Sequence, residues 1–210
     1  MHLLAFTPID VDAAELRRRQ ERYDHLAPTS VTVELRNIGS VAPLALNTEA
    51  DIRASEDVLT EAFRAIDPTG FDGFLPDCVL DPCAEQAEDF AVPLYGLSRL
   101  TASFYASQGQ RLGALARNAA IAAELDRRLA FYRLDADPTQ VLGLDVHDIA
   151  DTAAWGDAVI EHARGLTCSV AINACSAVEL VDPPRQPLVV DPTATALRLL
   201  GLSSELESVA

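Results

Sequence analysis

The chain has 210 residues, 49% of them hydrophobic, which is enough apolar surface for a sizeable core and excludes disorder of the bulk of the chain. Its formal net charge of −16 argues against nucleic-acid binding, because phosphate contacts need clustered basic side chains. No apolar run approaches the ~20 residues of a membrane span, and the N-terminus does not resemble a signal peptide. We therefore expect a cytoplasmic protein with no nucleic-acid or membrane partner.

Short apolar runs alternate with helical patterns along the whole chain. The expected strands cover residues 3–6, 31–35, 71–75, 92–95, 112–115, 141–144, 169–174 and 188–190. The expected helices cover residues 11–26, 49–66, 98–108, 119–128, 152–164 and 192–200. Strands that alternate with helices of this length predict an α/β protein with parallel sheets built from right-handed βαβ units.

The order of these elements suggests two pseudo-symmetric, doubly wound lobes of Rossmann-like type. Cys78 ends the third strand of the first half, and Cys175 ends the third strand of the second half. We expect the first lobe to span residues 1–95, completed by the C-terminal segment 188–210, and the second lobe to span residues 96–187. Ligands bind outside the carboxyl ends of parallel strands, so the active site is expected in the cleft between the lobes.

Two cysteines at matching strand ends would place two thiols on opposite walls of that cleft. Moving a proton on and off a carbon next to a carbonyl requires one base and one acid on opposite faces of the substrate. A free thiol has a pKa of about 8.5 that falls at a helix N-terminus, so Cys78 and Cys175 could share thiol and thiolate forms. Cys83 lies close after Cys78, and Cys168 precedes its strand and is expected to be core.

The intermediate formed by losing that proton needs hydrogen-bond donors. The backbone at Val79 and Ser176 could supply them if a helix begins directly after each cysteine, and the Ser176 hydroxyl could add another donor. Thr7, at the end of the first strand, is a candidate contact to substrate. Arg117 and Asn118 are candidates for holding a carboxylate.

Several other kinds of site are disfavoured by the sequence. The spacings from Cys78 to Cys83 and from Cys168 to Cys175 do not match zinc knuckles, so we expect no metal. Without any lysine or a glycine-rich fingerprint, nucleotide and dinucleotide cofactors lose their usual supports, and we expect no cofactor. The basic cluster of the first helix is expected to form a solvated face: Arg17, Arg18, Arg19 and Arg22.

Several motifs resemble the aspartate/glutamate racemase superfamily, and its hydantoin racemase branch in particular. Residues 78–82 (Cys-Val-Leu-Asp-Pro) resemble the first cysteine motif of that branch, and residues 174–177 (Ala-Cys-Ser-Ala) resemble the second. Residues 92–97 and 186–191 are similar to strands that follow these motifs. The resemblance covers almost the whole chain and implies a cofactor-independent racemase or epimerase, assembled as a homo-oligomer, acting on a hydantoin, amino acid or related small carboxylate.

Two segments depart from the family pattern. The family opens with an Asn-Pro-Asn-Thr-like segment that binds substrate, whereas this chain has Thr-Pro-Ile-Asp at residues 7–10. The family commonly has threonines after the fifth strand, whereas residues 116–118 here are Ala-Arg-Asn. These departures leave the substrate open.

Two alternatives to a racemase remain from the sequence. Within the same superfamily, malonate-type decarboxylation uses one protonating cysteine, and maleate-type cis–trans isomerisation uses one cysteine as a nucleophile and another as a proton donor. Outside catalysis, the chain could be a small-ligand-binding α/β protein whose cysteines are packing residues, because buried cysteines are common in protein cores.

Overall fold

The computed structural model describes residues 1–208 and contains two separate parallel β-sheets. The first has the strand order β2-β1-β3 and consists of β1 (His2–Phe6), β2 (Thr32–Arg36) and β3 (Gly73–Phe74). The second has the order β5-β4-β6-β7 and consists of β4 (Leu112–Ala116), β5 (Gln140–Val141), β6 (Val170–Asn173) and β7 (Leu188–Val190). The predicted class, α/β with two parallel-sheet lobes, is confirmed.

Within residues 1–208, six α-helices pack on these sheets, close to the positions that the hydrophobic periodicity predicts. They are α1 (Ala13–Leu26), α2 (Glu49–Ala65), α3 (Leu97–Ser107), α4 (Ala119–Phe131), α5 (Thr152–Ala163) and α6 (Pro192–Ser208), with short 3-10 helices at Ala84–Asp89 and Val146–Ala150. Of the α-helices in residues 1–208, five begin after a polar side chain that accepts first-turn N–H groups: Asp12, Thr48, Asn118, Asp151 and Asp191.

The first sheet is buried on both faces, as expected for parallel strands joined by helices. Along β1, Leu3 and Ala5 face a cluster formed with α1, α3 and α6. Leu4 and Phe6 face the opposite cluster, where Phe63 of α2 stacks on Phe74 and meets Phe6 edge-on. This alternation follows from the two-residue period of a strand and fixes which helices cover which face.

A further buried cluster joins the two lobes. It combines Ile9 and Val79 of the first lobe with Ala114 of β4 and Ile121 of α4. Helix α3 packs against β4, β6 and α4 of the second lobe as well as α6. The loops that carry the candidate site are therefore supported from both lobes.

The C-terminal segment is divided between the lobes, which corrects the boundary predicted at residue 188. Strand β7 pairs with β6 in the second sheet, with Val190 opposite Ile172, whereas Leu197 and Leu200 of α6 pack on the first sheet. An apolar run predicts a strand but does not reveal which sheet edge it joins. Helix α6 also continues to Ser208, beyond the predicted end at residue 200.

Two other features refine the sequence analysis. The segment predicted as a strand at 92–95 pairs with β3 at one position, Leu94 with Phe74, next to Pro93, which has no N–H for a ladder. Within residues 1–208, no helix combines the length and apolar character needed to cross a membrane.

Gly96, just before α3, is required by a close approach rather than by its backbone angles. A Cβ atom there would lie 2.5 Å from Oδ2 of Asp81. The Asp81 carboxylate has little freedom to move, because it accepts hydrogen bonds from the backbone N–H groups of Ser98 (2.9 Å) and Arg99 (2.7 Å) and from the Tyr132 hydroxyl (3.0 Å). Gly96 and Asp81 thus set the start of α3 against the loop that follows Cys78.

We expect Gly96→Ala to lower the free energy of unfolding by about 1 to 3 kcal/mol, the cost of forcing extra volume into a packed site. Gly156→Ala in α5 is the matched control, because no atom lies within 4 Å of its added Cβ. It should raise the free energy of unfolding by about 0.5 to 1 kcal/mol through helix propensity. Urea unfolding of both variants measures the difference, and equal effects would show that Asp81 is free to move.

Candidate active site

A cavity lies where the carboxyl ends of both sheets face each other. Its walls come from the loops after β1 to β6 and from helices of both lobes. The cavity has a volume of about 60 Å³, counted as the space open to the centres of water molecules, which is room for a small ligand. Cys78 lines it from the first lobe and Cys175 from the second, so the structure brings the two candidate thiols to one cavity.

The two cysteines sit in equivalent tight turns. The N–H of Cys78 donates to the carbonyl of Pro76 at 2.8 Å, and the N–H of Cys175 donates to the carbonyl of Asn173 at 2.8 Å. Cys78 is 6% exposed, and Cys175 is partly exposed. The matching turns are the local signature of the pseudo-symmetry that the sequence predicts.

No helix begins directly after either cysteine, which corrects the expected helix N-termini. After Cys78 the chain turns through left-handed residues, Asp81 (φ 46°) and Cys83 (φ 66°), and a 3-10 helix starts only at Ala84. Left-handed backbone interrupts a right-handed helix. Residues 176–187 after Cys175 contain turns and bends and no helix. Backbone N–H groups of these loops take the place of the helix ends.

The pKa values of the two thiols are raised, whereas lowered pKa values were expected at helix ends. Burial raises the pKa of Cys78 well above its ordinary value near 9, and the N–H of Leu80 opposes that rise. Burial also raises the pKa of Cys175, against the N–H groups of Ala177 and Val178. Both groups are therefore neutral thiols at neutral pH. A charge on Cys175 further raises the pKa of Cys78, so the second thiolate is harder to form than the first.

Arg19, expected on a solvated face, is instead 5% exposed and lines the cavity. It donates to Oδ2 of Asp77 at 3.0 Å and to Glu15 at 2.7 Å. The Tyr23 hydroxyl donates to Oδ1 of Asp77 at 2.9 Å. Arg19 and Tyr23 are four residues apart on α1 and share one face, so the aromatic residue was the signal that this face is buried.

Three of the predicted substrate contacts line the cavity: Val79, Ser176 and Arg117. The hydroxyl of Ser176 donates to the carbonyl of Asp77 at 3.0 Å, which ties the two cysteine loops together and leaves the Ser176 oxygen as an acceptor. We expected this hydroxyl to donate to the substrate, but its proton is already donated to the Asp77 carbonyl.

Arg117 is the more unusual of these side chains. Its guanidinium donates to the carbonyl of Leu46 and to Oδ1 of Asn47, each at 3.0 Å, and is 3% exposed. Burial lowers the pKa of Arg117, although the group stays cationic because its ordinary pKa is above 12. Among residues 1–208, no carboxylate forms an ion pair with it within 4 Å. Within that part of the chain, the cavity therefore contains a cation that no carboxylate binds directly, although the charges of Asp145 and Asp148 act on it from farther away.

Thr7 and Asn118 lie behind the cavity rather than on its walls, so the contacts expected of them are indirect. The Thr7 hydroxyl donates to Asn37 at 3.1 Å and accepts from the N–H of Ile38 at 3.2 Å. Asn118 accepts the N–H of Ile121 at the start of α4 and donates to the carbonyl of Leu46 at 2.9 Å. Each braces a loop that does reach the cavity.

The apolar walls were missed because they come from loops and helices far apart in the chain. They include Ile9, Leu46, Val146, Ile149 and Trp155. The Trp155 indole is fully buried and donates to Oδ1 of Asn173 at 3.0 Å. Only its helical spacing could have identified Trp155, and that spacing predicts burial without predicting a cavity.

The other two cysteines lie elsewhere. Cys83 is buried against α2, where it accepts a hydrogen bond from Thr60 at 3.3 Å, and burial raises its pKa to about 12. Cys168 is buried before β6, as predicted. Among residues 1–208, no three His, Cys, Asp or Glu side chains cluster as a metal site would require.

Comparison with known proteins supports the fold. No family model and no curated protein sequence matches the chain. Among solved structures, allantoin racemase from Pseudomonas fluorescens aligns with a TM-score of 0.79 at 15% identity, covering 99% of this chain and 92% of that one. Allantoin racemase from Klebsiella pneumoniae aligns with a TM-score of 0.77 at 15% identity, covering 99% and 89%.

More distant structures share the same architecture. Aspartate racemase from Picrophilus torridus aligns with a TM-score of 0.61 at 13% identity, covering 97% of this chain and 94% of that one. A maleate isomerase from Pseudomonas putida and an arylmalonate decarboxylase also align, with TM-scores of 0.62 and 0.55. The chain thus shares the two-lobed α/β fold of these solved structures, which is the fold that its motifs predicted.

Proposed function

We propose that this protein is a racemase or epimerase that uses Cys78 and Cys175 as alternating acid and base at a carbon next to a carbonyl, without a cofactor. The observation that carries the proposal is that two thiols, one from each sheet, line one cavity with largely apolar walls. Racemases of this fold among the solved structures support the same reaction type. A hydantoin, an amino acid or a related small carboxylate would be the substrate.

The proposed racemisation consists of two proton transfers, one at each face of the substrate carbon. The thiolate of one cysteine removes the proton from the substrate carbon, and the electron pair of that C–H bond moves to the carbonyl oxygen. The thiol of the other cysteine then delivers its proton to the opposite face of the carbon, and the electron pair returns. The enzyme ends with the two protonation states exchanged, ready for the opposite enantiomer.

The buried site suits this step. Desolvation raises the pKa of both thiols, so a thiolate formed there is a stronger base toward a weak carbon acid than a solvated thiolate. The mutual charge effect disfavours the state in which both cysteines are thiolates, so a site that has lost one thiol proton keeps the other. That single-thiolate state is the one a two-base mechanism requires.

Arg117 would recognise a negatively charged group on the substrate, because it is a cation of the cavity with no ion-pair partner among residues 1–208. Val79 and Ser176 would contact the reacting group through the cysteine loops, whereas Thr7 and Asn118 would act by holding neighbouring loops in place. The homo-oligomeric state and the cytoplasmic location stay predictions.

Substitution of either candidate thiol should remove racemisation. We expect Cys78→Ser and Cys175→Ser each to lower kcat by about 100- to 10,000-fold, the range that general acid–base groups contribute. Racemisation and deuterium uptake from heavy water into 5-substituted hydantoins and amino acids measure the effect. Cys83→Ser, buried outside the cavity, is the control and should retain activity within a few fold.

Other outcomes of that experiment would identify the alternatives. Carbon dioxide release from malonate-like acids with only one essential cysteine would indicate a decarboxylase. Conversion of maleate-like acids to the trans isomer would indicate a cis–trans isomerase. No exchange with any carbon acid, together with unaltered ligand binding in both serine variants, would favour a binding protein and refute the proposal.

The pH dependence follows from the raised pKa values of both thiols. Because the pKa of each is raised, the thiolate fraction of the free enzyme is small at pH 7 and grows about tenfold per pH unit below the pKa. We expect kcat/KM to climb from pH 7 to at least pH 9. Initial rates of deuterium exchange at fixed low substrate provide the profile, and a plateau that begins below pH 8 would contradict a buried thiolate base.

Substrate charge tests the assignment of Arg117. We expect Arg117→Lys, which keeps the charge but loses the forked donors, to raise KM for carboxylate substrates by about tenfold, the factor that 1.4 kcal/mol represents. KM for uncharged ring substrates should change much less. Steady-state kinetics with one acid and one neutral ring substrate make the comparison, and equal changes would assign Arg117 to loop support alone.

A further inference from the structure

Helix α1 of the first lobe reaches across to the loop that follows Cys175 in the second lobe. Nη1 of Arg18 donates to the carbonyl of Ala177 at 2.9 Å. Nε of Arg22 donates to the carbonyl of Ser176 at 3.0 Å, and its Nη2 donates to the carbonyl of Val178 at 3.2 Å. Two arginines therefore hold three consecutive carbonyl groups, although the sequence placed both side chains on a solvated face.

The planarity of the peptide bond gives these contacts a consequence at the thiol. In a trans peptide the carbonyl and the N–H of the same unit point in opposite directions. The Ser176 carbonyl shares its peptide with the N–H of Ala177, and the Ala177 carbonyl shares its peptide with the N–H of Val178. These two N–H groups are the ones that favour the thiolate of Cys175. Fixing the carbonyls toward α1 fixes the donors toward the sulfur.

The first thiol has the same arrangement with a different anchor. The hydroxyl of Ser98, fully buried on α3, donates to the carbonyl of Val79. That carbonyl shares its peptide with the N–H of Leu80, the group that favours the thiolate of Cys78. Each cysteine loop is thus oriented by a side chain from a helix outside the loop.

The anchoring arginines are themselves held in place. Arg18 pairs with Glu15 at 2.7 Å, and Nη2 of Arg22 pairs with Asp191 at 2.5 Å. Arg22 is largely buried, and the side chain of Arg18 is 39% exposed. A guanidinium with a fixed counter-ion keeps its fork in one orientation, so it can hold a carbonyl in one direction.

We infer that Arg18 and Arg22 are positioning residues that orient the peptide groups at 176–178 so that their N–H groups stabilise the thiolate of Cys175, and that Ser98 does the same for Cys78. We call this set of anchoring side chains the clamp. The role of the clamp in catalysis rests on the proposed two-thiol function. The effect on each thiol does not, because it follows from the loop geometry. It can therefore be measured without any turnover.

The test measures the pH profile of iodoacetamide alkylation at each cysteine separately, by mass spectrometry of the full chain after digestion. We expect Arg18→Met to raise the apparent pKa of Cys175 by about one unit, which slows its alkylation about tenfold at a fixed pH below the pKa, and to leave Cys78 unchanged. Ser98→Ala should act on the other thiol: it should slow the alkylation of Cys78 and leave the alkylation of Cys175 unchanged. Arg18→Lys, which keeps one donor, should recover part of the effect.

Two controls separate orientation from charge and from unfolding. Arg17→Met removes an exposed arginine of the same helix and should alter neither thiol. All profiles are recorded in 0.5 M NaCl, where screening acts within roughly 4 to 5 Å, so that a lost distant charge contributes little. The charges that face Cys175 from other elements, Arg19, Asp77 and Arg117, are retained in every variant.

The outcomes are distinct. The clamp is supported if Arg18→Met slows the alkylation of Cys175 alone and Ser98→Ala slows the alkylation of Cys78 alone, whatever reaction the enzyme catalyses. Equal shifts at both thiols, or none, would overturn it. If Arg18→Met loses cooperative urea unfolding, the Arg18→Lys and Ser98→Ala profiles decide the question by the same criterion. Failure of the racemase proposal would instead appear as absent isotope exchange in the unmodified protein.

Discussion

The buried ion pair between Arg19 and Asp77 is the interaction on which the site depends. Both side chains are nearly inaccessible, and Asp77 directly precedes Cys78. Its carboxylate also accepts from Tyr23, and its carbonyl accepts from Ser176. Removing one partner of such a pair leaves an uncompensated buried charge, at a cost of about 3 to 5 kcal/mol. The pair thereby fixes the first cysteine loop to α1 and, through Ser176, to the second cysteine loop.

Helix α1 organises the cavity because its arginines serve both loops. Arg19 holds the residue before Cys78, whereas Arg18 and Arg22 hold the carbonyls after Cys175. Loops held in this way present single N–H groups to the sulfurs, in place of the helix ends seen in many reactive-cysteine sites. These donors offset only part of the rise in pKa that burial causes, so both thiols keep a raised pKa.

The fold by itself leaves the reaction open, since isomerases and a decarboxylase share it with racemases. This cavity has two thiols, apolar walls and the guanidinium of Arg117, which contacts a carbonyl oxygen and an amide oxygen. The proposed proton transfer on a small anionic substrate relies on this set of groups.

The α/β class, most helices and strands, and the matching positions of Cys78 and Cys175 at strand ends could be predicted from the sequence, because periodicity and strand ends are local patterns. Only the tertiary structure decided that β7 joins the second sheet, that α1 turns Arg19 inward, and that Thr7 stays behind the wall. Sheet edges, buried ion pairs and cavity walls combine residues that are distant in the chain. Their energies depend on which surfaces meet, and a local pattern does not encode that.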